Sequence, residues 1–260
     1  MRRPGAGMSA GRQRGGGRLL IGLAIASIVV VALAVGAELL ARQMVPGMIR
    51  SAVVERLQLP ADHPMDVQVE GIVIPQLIRG ALDEVHLASQ DLTVGAFSGD
   101  VVAQGLGVPI RADGPAEGGT AEVRMTTEQL RSLLSTIEGF PADSVELEAP
   151  NVTASSEAEL LGASIPLGVT LEPSAAEGEI VLAPVEGTIA QATVTAEQLR
   201  EQFGSAVDSL LQDRRVCIAS SVPAAMTLQE VEVVEDELLA RFDIAGGIIE
   251  DPALQENGAC

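Results

Sequence analysis

The sequence predicts an α+β protein in which one N-terminal helix crosses a membrane and antiparallel sheet packed on helices follows outside it. Three observations carry that prediction. Residues Leu19 to Ala37 read LLIGLAIASIVVVALAVGA, without a charged or amide side chain; alternating apolar residues dominate from Val67 onward; and a helix-start hexapeptide occurs twice, at Thr126 and at Thr195.

The apolar run is the first element. As a helix it spans roughly 28 Å, close to the thickness of a bilayer's hydrocarbon core. Arg2, Arg3, Arg12, Arg14 and Arg18 precede it and no acidic residue does. Positive charge stays on the cytoplasmic side, so residues 1–18 form a cytoplasmic tail, 19–37 the membrane segment, and 38–260 an extracytoplasmic domain. The run is longer than a secretory signal needs, which favours an uncleaved signal-anchor. The small residues Val35-Gly36-Ala37 keep the alternative of a cleaved signal open.

Beyond the five N-terminal arginines the chain has 11 arginines against 36 acidic residues, a net charge of −25. Such a surface repels nucleic acid and gains little from anionic head groups, so any lipid it handles is held mainly by apolar contact. Trp and Tyr are absent and Phe occurs four times. Without aromatic platforms, single-stranded nucleic acid and exposed sugar rings are poor ligands. Cys217 and Cys260 are the only cysteines. Both lie on the oxidising side, and a disulfide between them, closing a loop worth about 4 kcal/mol in the chain-entropy model, is the expectation.

Taken in order, Glu38 to Leu57 reads as helix, with Leu40, Met44, Ile49, Val53 and Leu57 recurring, and Pro46-Gly47 predicts a kink or short break. Val67 and Val69 begin the strands. Gly71 and Pro75 bracket a turn or short helix ending at Gly80. Ala81 to Val94 is extended, and its apolar phase changes between Val85/Leu87 and Leu92/Val94, which predicts a bulge near Ser89 to Asp91. Gly99 to Ile110 carries Val102, Leu106, Val108 and Ile110 on one parity.

The pattern Thr126-Thr-Glu-Gln-Leu-Arg131 returns as Thr195-Ala-Glu-Gln-Leu-Arg200. Each Thr-x-x-Gln is a capping box and so a helix start. Strand series follow both, ending with Met226 to Val234 and Glu237 to Ile244, so two helix-plus-meander units, 126–194 and 195–245, are an expected internal repeat. Chance recurrence of common helix-start chemistry is the competing account.

No catalytic constellation is legible. The chain has no GxSxG, HExxH, phosphate loop or CxxC, and two histidines, His63 and His86, leave little for a metal site. His63 reads as a solvated turn residue and His86 as the outward side of a strand. Glu230, Glu232, Glu235, Asp236 and Glu237 alternate with Val231 and Val233, which makes them the wet face and turn of a hairpin. A non-enzymatic protein without cofactor or metal is the expectation.

The basic N-terminus, the membrane segment, the helix after it, the GIVIPQLIRG block at Gly71 to Gly80, and RRVCIASSVPAAMTLQEVEV at Arg214 to Val234 together resemble the actinobacterial LmeA-like family of phospholipid-binding envelope proteins. The resemblance covers about Glu38 to Ile244. It implies a tubular lipid-binding (TULIP-like) fold in which curved antiparallel sheet wraps a long helix around an apolar cavity. It also implies a phospholipid or glycolipid partner and a role as carrier or accessory in lipid-linked glycan assembly. The expected lipid-binding residues are Ile74, Leu77, Ile78, Val85, Leu87, Leu133, Ile137, Phe203 and Val207, with Arg79 as partner of a phosphate head group. The alternative is a structural or partner-binding ectodomain without a lipid ligand.

Overall fold

The computed structural model describes residues 16–94, 97–111, 114–135, 142–160, 163–189, 192–203 and 211–259. Its first element is α1, Gly16–Arg56, a single helix of 41 residues. At 1.5 Å per residue it is about 61 Å long, so roughly 28 Å of it projects beyond Ala37. The expected break at Pro46-Gly47 is absent: the helix runs through Pro46. Proline removes one ladder hydrogen bond, and packing of Val45 and Ile49 against the sheet holds the turns on either side of it.

After α1 the chain reverses in a turn fastened by Arg50, whose guanidinium donates to the carbonyls of Ala61 and His63. Strand β1, Met65–Val69, then runs back along the helix, and Gly71, at φ +81°, swings the chain into α2, Val73–Arg79. Gly80, also left-handed at φ +88°, ends α2 with its N–H on the Gln76 carbonyl. Such backbone favours glycine because no Cβ meets the carbonyl.

Strands β2 (Ala81–Val94), β3 (Phe97–Pro109) and β4 (Gly118–Thr126) form an antiparallel meander. The predicted irregularity in β2 is present as a register shift between Ser89 and Leu92, where Asp91 takes φ +49°. Helix α3, Thr127–Leu134, starts with the predicted capping box: Gln129 N–H donates to Thr126 Oγ1, and Thr126 N–H to Gln129 Oε1. Next come β5 (Glu146–Glu148), β6 (Asn151–Leu160), β7 (Ala163–Ala176), β8 (Glu179–Ile189) and β9 (Ala192–Thr195). Helix α4, Ala196–Phe203, repeats the reciprocal bonds between Thr195 and Gln198. The chain continues as β10 (Arg214–Cys217), β11 (Met226–Val234), β12 (Glu237–Ile244) and α5 (Pro252–Gln255).

The expectation of a curved sheet wrapped into a tubular, TULIP-like form is overturned. The class is α+β, but both sheets are open. The first runs β1-β2-β3-β4-β12-β11 and the second β10-β8-β7-β6-β5, with β9 added on β8. A tube would need β1 to pair with the far edge, and β11 instead packs against β7 of the second sheet. Hydrophobic alternation reports which face of a strand is dry; it carries no information on whether strand stagger closes a circuit.

The strands after α3 and α4 also part company. Strands β5 to β9 all join the second sheet, whereas after α4 only β10 does so, and β11 and β12 complete the first. Two apolar clusters result. One, around Met125, Leu130, Val145, Val231 and Phe242, lies where α3 and the two sheets meet. The other, Val67, Leu82 and Val85, faces Val45 and Ile49 of α1.

Candidate functional site

The second cluster is where the helix leaving the membrane meets the sheet, and a polar clasp holds the parts in place. Glu38, the first residue past the apolar run, accepts hydrogen bonds from Val73 N–H at 2.8 Å and Ile74 N–H at 2.9 Å. Its carboxylate thus caps the first turn of α2 from another helix, satisfying donors that have no partner within α2. The Ile74 and Val73 N–H groups, helped by Arg42, hold this carboxyl below the ordinary glutamate range. Arg42 itself donates to Glu38 at 2.9 Å and to the Gly71 carbonyl at 2.7 Å.

Gln76 locks α2 from the other side. Only 1 % exposed, it donates to the Glu70 carbonyl at 2.7 Å and accepts from Asp83 N–H at 3.0 Å. A Cβ at residue 71 would sit 2.8 Å from its Nε2, so Gly71 makes room for this amide as well as for the turn.

Beside this clasp lies an apolar groove of about 470 Å³. Val45, Met48, Ile49 and Ala52 of α1 form one wall, and Leu77 of α2 with Leu82, Val85 and Leu87 of β2 another. The floor is small. Val85 pairs with Gly105 and Leu87 with Ala103, and these residues of β3 leave space where larger side chains would fill it. Met48 and Ile110, 68 % and 45 % exposed, mark its open rim. Gln104 is the one polar residue among those lining the groove, and its amide is engaged by Glu84. At a liquid share of about 30 Å³ per water-sized group, the groove has room for roughly 15 such groups, the bulk of one acyl chain.

Of the residues expected to bind lipid, Leu77, Val85 and Leu87 line the groove. Ile74 is half-buried and Ile78 is 81 % exposed, and neither is among the residues lining the groove. Arg79 is exposed and pairs with both carboxylate oxygens of Asp83, at 2.7 and 2.9 Å. Leu133 packs in the other cluster. Ile137 and Val207 lie outside the described residues, as does the side chain of Phe203. No cysteine is free among the described residues; Cys217 is on exposed β10, and Cys260 is outside the described residues.

Sequence reasoning missed the α1 wall and the floor. The face of α1 turned to the sheet is Ala41, Val45, Ile49 and Ala52, a spacing of helical period, whereas Leu40 and Met44 are 61 % and 63 % exposed. Of the apolar parity predicted on β3, Val102 and Leu106 face outward, 49 % and 39 % exposed, whereas Val108 and Ile110 line the groove. His63 is half-buried rather than solvated, its Nε2 2.7 Å from Ser89 Oγ.

The outer face of the first sheet carries charge instead. Arg241 reaches Glu230 and Glu122, and Arg124 also pairs with Glu122. The Arg124 guanidinium foremost, then Arg241, hold the Glu122 carboxyl below the usual range. Val231 and Val233 are buried behind this face, as the hairpin pattern predicts. Among the described residues no group of three or more His, Cys, Asp or Glu is placed to hold a metal ion.

Fold and groove together define a class: a domain on a membrane-spanning helix, with an apolar groove where that helix meets the sheet. A family model describing LmeA-like phospholipid-binding proteins matches residues 36–243, and the chain belongs to that family. It is a single-pass, membrane-anchored, lipid-binding protein whose C-terminal domain is extracytoplasmic. No curated protein and no solved structure matches the chain.

Proposed function

We propose that the groove between α1 and β2–β3 takes one acyl chain of a membrane phospholipid and that the protein carries this lipid at the outer face of the membrane. The observation that carries the reading is the groove's lining, which is aliphatic apart from Gln104. Each methylene removed from water contributes about 0.8 kcal/mol, so a dozen contribute about 10 kcal/mol before the cost of ordering the lipid is subtracted. The second chain stays outside the groove. Arg79, at the end of α2 next to the groove wall, exchanges Asp83, whose two carboxylate oxygens share its Nη2, for the phosphate, since a guanidinium bonds either anion.

The test is to fill the groove from two sides without burying a charge. Ala52→Phe extends from α1 and Ala103→Phe rises from the floor. Phospholipid co-purified per protein, measured by native mass spectrometry and lipid extraction, should fall severalfold in both variants while the thermal transition stays in place. Full lipid occupancy in both would overturn the site. Protein that never carries or extracts lipid would favour a structural ectodomain.

A further inference from the structure

Among the described residues, the exposed isoleucines of the domain gather at one end of the first sheet. Register puts Ala81 opposite Pro109, so α2 and Ile110 share that end, while Val94, Thr126, Glu237 and Val234 lie at the other. The 14 residues of β2 separate the two ends by about 45 Å. At the α2 end, Ile72 is 62 %, Ile78 81 % and Ile110 45 % exposed. Ile110 N–H donates to the Gly80 carbonyl at 2.9 Å, which joins its segment to the end of α2, so all three isoleucines stand at this end of the sheet.

The clasp fixes where that surface faces. Glu38 directly follows the membrane segment, and its carboxylate holds the Val73 and Ile74 amides. The first turn of α2 is therefore kept within about one helical turn, roughly 5 Å, of the level at which α1 leaves the bilayer's apolar core. Leu39 and Leu40 of α1, 59 % and 61 % exposed, stand at the same level. Charge is compatible with that placement. The ectodomain as a whole is strongly acidic and is repelled by an anionic leaflet, but at this end Glu38 is matched by Arg42 and Asp83 by Arg79, and the exposed Arg111 beside Ile110 offsets the exposed Glu70 beside Gly71, so the end is close to neutral.

We propose that this end of the domain docks on the outer leaflet of the bilayer that α1 crosses, with Ile72, Ile78 and Ile110 seated in its interface. Apolar side chains at head-group depth gain by leaving water, and the tether makes the encounter intramolecular. Docking places α2 between leaflet and groove: Ile78 faces lipid while its neighbour Leu77 lines the groove. A chain leaving the leaflet then reaches the groove along α2 without crossing bulk water.

The chain contains no tryptophan, so Ile72→Trp, Ile78→Trp, Ile110→Trp and the far-end Val234→Trp each introduce a single reporter. Each full-length variant is reconstituted in phosphatidylcholine–phosphatidylglycerol vesicles whose acyl chains are brominated either near the glycerol or near the terminal methyl. At the α2 end the emission should shift to shorter wavelength and be quenched more strongly by the shallow bromines. Trp at position 234 should emit as in water and escape quenching. The same measurement in an Ala52→Phe background separates leaflet from groove lipid, and the quenching should persist there. If no reporter at the α2 end is quenched beyond that at position 234, or if the quenching vanishes when the groove is filled, docking is refuted, whatever lipid the groove itself holds.

Discussion

Gln76→Met tests whether α2 is held by its buried amide. The replacement keeps the length and volume of the side chain but can neither donate to the Glu70 carbonyl nor accept from Asp83 N–H, bonds of 2.7 and 3.0 Å in the native protein. Each backbone group left without a partner costs about 1–3 kcal/mol, and since both bonds are part-buried the lower half of that range applies, about 2–4 kcal/mol in all. For an ectodomain of this size 1 kcal/mol moves the midpoint by about 2–4 °C, so the thermal transition should fall by roughly 5–15 °C. Circular dichroism melts of the lipid-free protein read this directly. A shift below about 2 °C would refute the account of α2 as locked by Gln76. Gln76→Glu adds a sign test. Its carboxylate would face the Glu70 carbonyl, so this variant should be weakest at neutral pH and recover as the carboxyl is protonated.

Three further outcomes follow from the geometry. Arg79→Ala should lower retention of anionic phospholipid and Asp83→Asn should raise it by freeing the guanidinium, while neither moves the thermal transition by more than a few degrees, as expected for an exposed pair; equal retention in both would remove Arg79 from the head-group site. Glu38 and Glu122 both have depressed pKa values, so their contribution is complete above the unfolded glutamate value of about 4.3 and is lost as pH falls through the lower folded values. Glu38→Gln should therefore flatten the acid side of the stability–pH profile in part, leaving the share due to Glu122, and an unchanged acid side would contradict the clasp. Intact-mass analysis of the exported protein under alkylating, non-reducing conditions should find Cys217 and Cys260 both protected; two alkylated thiols would exclude their disulfide.

What was legible in the sequence was local chemistry. Residues 19–37 announce lipid as their solvent, Thr126 and Thr195 announce helix starts by paired capping bonds, and the phase change after Leu87 announces the bulge at Asp91. The groove was only half legible because its floor is Ala103 and Gly105, residues that make a cavity by what they lack and leave no hydrophobic signal. Gln76 was unreadable for a related reason. An amide flanked by Pro75 and Leu77 reads as surface, and only the approach of Glu70, just past β1, and of Asp83 in β2 makes burial tolerable. Val102 and Leu106 misled in the opposite direction. Their alternation is strong, yet the dry side of β3 at those positions is the one with small residues.

The order of strands in the first sheet has a consequence for how the protein is made. Strand β4 pairs with β12, Thr126 meeting Glu237 and Gly119 meeting Ile244, with the whole second sheet intervening in the chain. A polypeptide threaded across the membrane from its N-terminus delivers β1 to β4 long before β12 arrives, so the β4 edge spends that interval with unpaired amides and carbonyls. Contacts so distant in sequence also form slowly once both partners are present. Ile244, at the end of β12, lines the groove as well. The groove is thus among the last parts to be completed, and a nascent chain stalled before β12 would expose both an open edge and an unfinished apolar wall, which makes this interval the one in which extracytoplasmic chaperones have most to protect.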